Sequence, residues 1–93
     1  MATRPIEIGP AGLHTAQAIE RARLNRALTQ QQLAAGCAAL GRAMTNIALS
    51  RTERARRRCD VDDLVVIAAV LGVPPATLLL PFASSSGTDR EGR

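Results

Sequence analysis

Residues 29–58, TQQQLAAGCAALGRAMTNIALSRTERARRR, decide the fold. Thr29 is a suitable N-cap and Gln32 completes a Thr-x-x-Gln capping box, while Leu28 and Leu33 flank the cap at the spacing of a hydrophobic staple. A helix therefore starts at Gln30. Leu33, Ala34, Cys37 and Leu40 recur at helical spacing and give it one apolar face, and Gly41 is placed to end it. Gly36 lies inside and weakens this helix by up to ~1 kcal/mol relative to Ala. Gln30 stands among unpaired backbone N–H groups at the positive end of the helix, where a phosphate oxygen can be held; the plainer alternative is a solvated glutamine.

Thr45 can cap a second helix running through NIALSRTERAR, residues 46–56. On a helical wheel Ala48, Leu49 and Thr52 form a narrow inner face, and Asn46, Ile47, Ser50, Arg51 and Arg54 face outward. The outward types suit base edges: Asn pairs bidentately with adenine, Arg with guanine, and Ile packs on a thymine methyl. Five arginines, Arg51, Arg54, Arg56, Arg57 and Arg58, then fall within eight residues. A charge run is commonly just a solvated face, but guanidinium groups beside base-reading types are natural phosphate ligands.

Composition bounds the function classes. With 93 residues the chain forms one domain, large enough for a single small core. Phe82 is its only aromatic residue, so Leu, Ile, Val and Ala must fill that core, which suits a small helical bundle. The net charge of +4 and a pI near 11.0 favour a polyanionic partner. From Arg42 to Arg58, six arginines face Glu53 as the only acid, so the charge is concentrated on the helix pair. Cys37, Cys59 and His14 cannot supply four close metal ligands, and Cys37 reads as a small core residue. No apolar run approaches a membrane span and no signal peptide is recognisable, so a cytoplasmic, reduced setting is expected. Neither a cofactor nor a catalytic nucleophile with its base is expected.

Outside the central stretch, residues 1–12 contain Pro5, Gly9, Pro10 and Gly12 and read as a flexible arm. A first helix is expected over residues 13–27, with Ile19, Ala22, Arg23 and Arg26 inward; a buried Arg23 needs a partner. Asp60 and Asp63 form a capping box, with Asp62 adding charge to the same first turn. These acids imitate a metal cluster, but capping explains their spacing. The helix they open buries Val61, Leu64, Ile67, Ala68 and Leu71 and ends at Gly72. Pro75 starts a last short helix, with Val73 stapling onto Leu78. One turn cannot bury the whole run Leu78 to Phe82, so Leu79 and Phe82 are expected at a dimer interface. Residues 83–93 read as a disordered tail.

The runs LTQ, LSRTE and LVVIAAVLGV, in that order, resemble the Cro/repressor type of helix-turn-helix protein, the Xre family, over about residues 18–80. The resemblance implies a compact, all-α, five-helix domain of the lambda-repressor type over residues 13–82, whose second paired helix enters the major groove. By position it places base reading on Asn46, Ile47, Ser50 and Arg51, and phosphate contacts at Gln30 and near Arg54 and Arg56, to which the arginine run adds Arg57. It also makes Glu53 the partner of Arg23. This chain departs from the family in a turn about four residues longer than the compact four-residue type and in Thr52 on the inner face. Ala55 stands where the family usually has Gly. Either Ala55 is left-handed, at roughly 1–2 kcal/mol, or the helix continues through Arg56 and Arg57.

The function expected is a sequence-specific double-stranded DNA-binding transcriptional regulator acting as a homodimer. The alternative is a protein-binding module, such as an antitoxin, that uses Ile47 and residues 79–82 to cover a protein partner.

Overall fold

The computed structural model describes residues 8–79. In chain order it comprises α1 (Pro10–Asn25), α2 (Gln30–Ala39), α3 (Asn46–Glu53) and α4 (Val61–Leu71), then a 3₁₀ turn at Pro75–Leu78. Among the described residues the compact domain is all-helical, with no strand.

Local signals set most of these boundaries. Thr29 and Gln32 form both halves of the capping box on α2, at 3.0 and 2.9 Å. Thr45 Oγ1 accepts the Ala48 N–H at 2.9 Å and starts α3. The Asp60 carboxylate accepts the Asp63 N–H at 2.7 Å and starts α4.

All four helices end alike: the N–H two residues past the last right-handed residue reaches back to a carbonyl five residues earlier. These bonds are Leu28 to Arg23, Arg42 to Cys37, Arg56 to Arg51 and Val73 to Ala68, at 2.8–3.1 Å. The residue between must turn left-handed. Gly41 and Gly72 do so at φ 94° and 73°, but Ala27 and Ala55 do so at 56° and 58°, where Cβ crowds the backbone. Ala55 thus terminates α3 at Glu53, and the longer helix through residue 56 is corrected.

Other boundaries differ from expectation. Residues 10–12 belong to α1 rather than to an arm, because Pro10 at the first helical position needs no N–H partner and Leu13 N–H already bonds to Gly9 O at 3.0 Å. Gly12 has a packing reason: a Cβ there would lie 2.6 Å from Ile8 Cγ2. Residues 1–7 and the tail, with Phe82, lie outside the described residues. The fifth expected helix is a single 3₁₀ turn, closed by Thr77 N–H to Pro74 O and Leu79 N–H to Ala76 O at 2.9 Å. Adjacent prolines fix its entry but cannot donate bonds to lengthen it.

Ile19, Leu33, Leu49, Ile67, Leu71 and Leu78 meet in the core, with Cys37 and Ala68 between them. Met44, from the connection 40–45 that joins α2 to α3, is buried in the same cluster. Because α2 stops at Ala39, Leu40 is 57% exposed instead of inward, and Val61, at the first position of α4, is 74% exposed. Ala22 and Leu64 pack on the core margin. Arg26 is not inward; its Nη1 donates to Leu71 O at 2.7 Å and ties the ends of α1 and α4 together. Gly36, whose cost alone is visible in the sequence, brings α2 against α4: its missing Cβ would stand 2.7 Å from Val70 Cγ1.

Candidate nucleic-acid interface

α3 is eight residues long and packs on α1 and α2 through Leu49, Thr52 and Glu53, all buried. Thr52 solves the problem of a hydroxyl on an inner face by donating to Ala48 O, one turn back, at 2.9 Å. The remaining face is turned outward. Asn46, Ile47, Arg51, Arg54 and Arg56 are exposed, Ile47 by 66%, and Ser50 is half-buried. Among the described residues, the side chains of Arg51, Arg54 and Arg56 make no hydrogen bond or ion pair.

The C-terminal end of α3 is fixed from beneath. Arg23 Nε donates to Glu53 Oε2 at 2.7 Å and Nη2 to Oε1 at 2.9 Å, with the two side chains 9% and 2% exposed. The remaining guanidinium nitrogen, Nη1, donates to Leu28 O at 2.8 Å. Hydrogen bonding to Glu53 raises the Arg23 pKa against the opposing effect of burial, and the charge of Glu53 adds to it. The partner implied for Arg23 is therefore in place, with the planar two-point geometry that makes such pairs strong.

Gln30 is half-buried, and its Nε2 donates to Glu53 Oε1 at 2.9 Å. Its side chain is thus not simply held out for a phosphate: it is the third donor on the Glu53 carboxylate. It still lines a shallow groove with Asn46, so the start of α2 lies beside the first turn of α3.

Arg57 is corrected more sharply. Its Nη1 donates to Asp63 Oδ2 at 2.9 Å and to Thr52 Oγ1 at 3.2 Å, so its charge is committed within the domain. Asp63 also accepts from Arg42 Nε at 3.0 Å, and Arg42 reaches Asp60 at 3.1 Å. One carboxylate, 1% exposed, thereby holds the connection before α3 and the segment after it. Burial works to raise the Asp63 pKa, but hydrogen bonds from Arg42, the Asp60 backbone and Arg57 outweigh it and hold the carboxyl below the usual range. The capping box was legible in the sequence; this network was not, since nothing in the spacing of Arg42, Arg57 and Asp63 signals that they meet.

Leu79 is 41% exposed, while Phe82, its expected companion at a dimer interface, lies outside the described residues. Among the described residues no group of three or more His, Cys, Asp or Glu is placed to hold a metal ion, and no helix is long and apolar enough to cross a membrane. Compared with protein-family models, curated proteins and solved structures, the chain matches none.

Proposed function

We propose that this chain is a sequence-specific double-stranded DNA-binding transcriptional regulator of the Cro/repressor helix-turn-helix type, working by occupying an operator. The observation that carries the reading is the outer face of α3: Ile47, 66% exposed, sits among Asn46, Arg51 and Arg54 on a helix anchored by a buried ion pair. A rigid helix presenting amide, guanidinium and methyl groups is suited to base edges in a major groove. Arg54 and Arg56 take the phosphates, Gln30 borders the same surface, and Arg57 leaves the set. The protein pairs two-fold through Leu79 and Phe82, so that two α3 helices read an inverted repeat with half-site centres about 34 Å apart. The function needs no cofactor and is not enzymatic.

Selection of bound duplexes from a random pool, with affinity followed against salt, tests this. An enriched inverted repeat whose affinity falls steeply as salt rises supports DNA reading, because phosphate contacts release counterions. No enriched sequence, with no salt-dependent DNA binding, assigns the exposed Ile47 and Leu79 to a protein partner instead, as in an antitoxin.

A further inference from the structure

α4 carries apolar side chains on both sides. From Leu64 to Ala76 no residue is polar, and Ile67, Ala68 and Leu71 take only one face into the core. A helix that is apolar all round belongs in contact on both sides. Asp62, Val65, Ala69 and Gly72, spaced three, four and three residues apart, line the other face, and all four are exposed, Val65 by 46%. The two ends of this stripe differ in charge. Asp62, its side chain 81% exposed, reaches Arg42 only at 4.0 Å. At the far end a Cβ on Gly72 would lie 2.7 Å from Arg26 Nη1, so the guanidinium stands over the glycine. That Nη1 donates to Leu71 O, and among the described residues no acid pairs with Arg26.

We propose that this face docks on the same face of a second copy, the two α4 helices antiparallel about a two-fold axis. Antiparallel pairing sets Val65 against the partner's Ala69, and Asp62 against the partner's Gly72 and Arg26, so each contact of unlike charges occurs twice. Parallel pairing would bring acid to acid and base to base. Ala69 and Gly72 project little and let the helices approach closely. The docking rests on the two-fold dimer of the proposed function and extends its surface. Leu79 and Leu64 line one cavity, and Val61 and Val65 flank Leu64 on α4, so the stripe continues the surface assigned to Leu79.

Sedimentation of the full chain measures the association, with circular dichroism as the check on folding. The unaltered chain should dimerise. Val65→Glu, at an exposed position, should weaken the dimer about a hundred-fold with its helical spectrum unchanged, since one substitution enters a two-fold contact twice. Asp62→Arg and Arg26→Glu should each weaken it as well, because like charges then meet at both ends. An equimolar mixture of those two variants should re-form a dimer, in which both contacts again join unlike charges. A chain destabilised by losing the bond from Arg26 to Leu71 O would not be rescued by mixing, and Val65→Glu tests the face independently of that bond. A dimer that survives Val65→Glu but dissociates with Leu79→Asp overturns the docking of α4 and keeps the two-fold reading. A chain that is monomeric at every concentration overturns both: if Val65→Glu then lowers the urea midpoint, the chain's own terminal residues cover the face, and if it does not, the face belongs to a different protein. Recognition of duplexes is measured separately, so its failure alone leaves the docking in place.

Discussion

Replacing Ala55 by glycine should stabilise the protein, although the same substitution inside a helix does the opposite. Ala55 ends α3 at φ 58°, where an L side chain costs roughly 1–2 kcal/mol that glycine escapes. Against this stands the greater freedom of glycine in the unfolded chain, about 0.4–1 kcal/mol. The half-buried methyl group surrenders only part of the ~0.8 kcal/mol of a fully buried carbon. The balance at the midpoints is a gain of roughly 0.4 kcal/mol, or about 2–3 °C in Tm for a domain of this size. Urea denaturation followed by far-ultraviolet circular dichroism measures it, with Ala35→Gly, exposed within α2, as the control expected to lose about 1 kcal/mol. Ala27→Gly, at φ 56° and exposed, should gain at least as much as Ala55→Gly. If Ala55→Gly instead destabilises by as much as Ala35→Gly, the left-handed termination is wrong. α3 would then run on through Arg56, and the arginines would fan out in other directions.

Further outcomes are expected from the ion pairs and the outer face. Glu53→Ala strands Arg23 in the core and should cost about 3–5 kcal/mol, whereas joint replacement of Arg23 and Glu53 by leucine should cost much less; equal losses in a denaturation series would contradict the pairing. Because the folded-state pKa of Asp63 is depressed, its stabilisation is present above the unfolded value of 3.8 and is lost as pH falls through the lower folded value. Asp63→Asn should therefore lower the urea midpoint at neutral pH and flatten its fall below about pH 4; parallel curves for both proteins would speak against this. On DNA, Arg51→Ala should lose ~1–3 kcal/mol and relax preference at one guanine, while Arg56→Ala weakens all sequences alike, and identical behaviour on matched and mismatched sites would refute the division of roles.

The starts of α2, α3 and α4 and the all-helical class were legible because their causes are local. A Thr or Asp cap acts over three residues, and the spacing of Leu33, Ala34 and Cys37 marks a buried face directly. Burial at helix ends was less legible. Leu40 and Val61 continue an apolar pattern, but the chain turns away after Ala39 and before Val61, leaving both outside. Pro10 and Gly12 look like breakers until Ile8 is seen folding over Gly12. That Arg23 required a partner followed from its position; that the partner is Glu53 came from resemblance, and Gln30 as a further donor came from neither. Met44 gave no signal, since one apolar residue in a polar connection reads equally well as exposed.

The clasp of Asp63 on Arg42 and Arg57 bears on how such a chain could change what it recognises. α3 is fastened at both flanks and by Glu53 beneath, so its placement does not depend on Asn46, Ile47 or Arg51, which contribute nothing to the core. Those positions behave as interchangeable type in a fixed frame. Drift or deliberate grafting there can alter the surface offered to a partner while the melting temperature stays where it was.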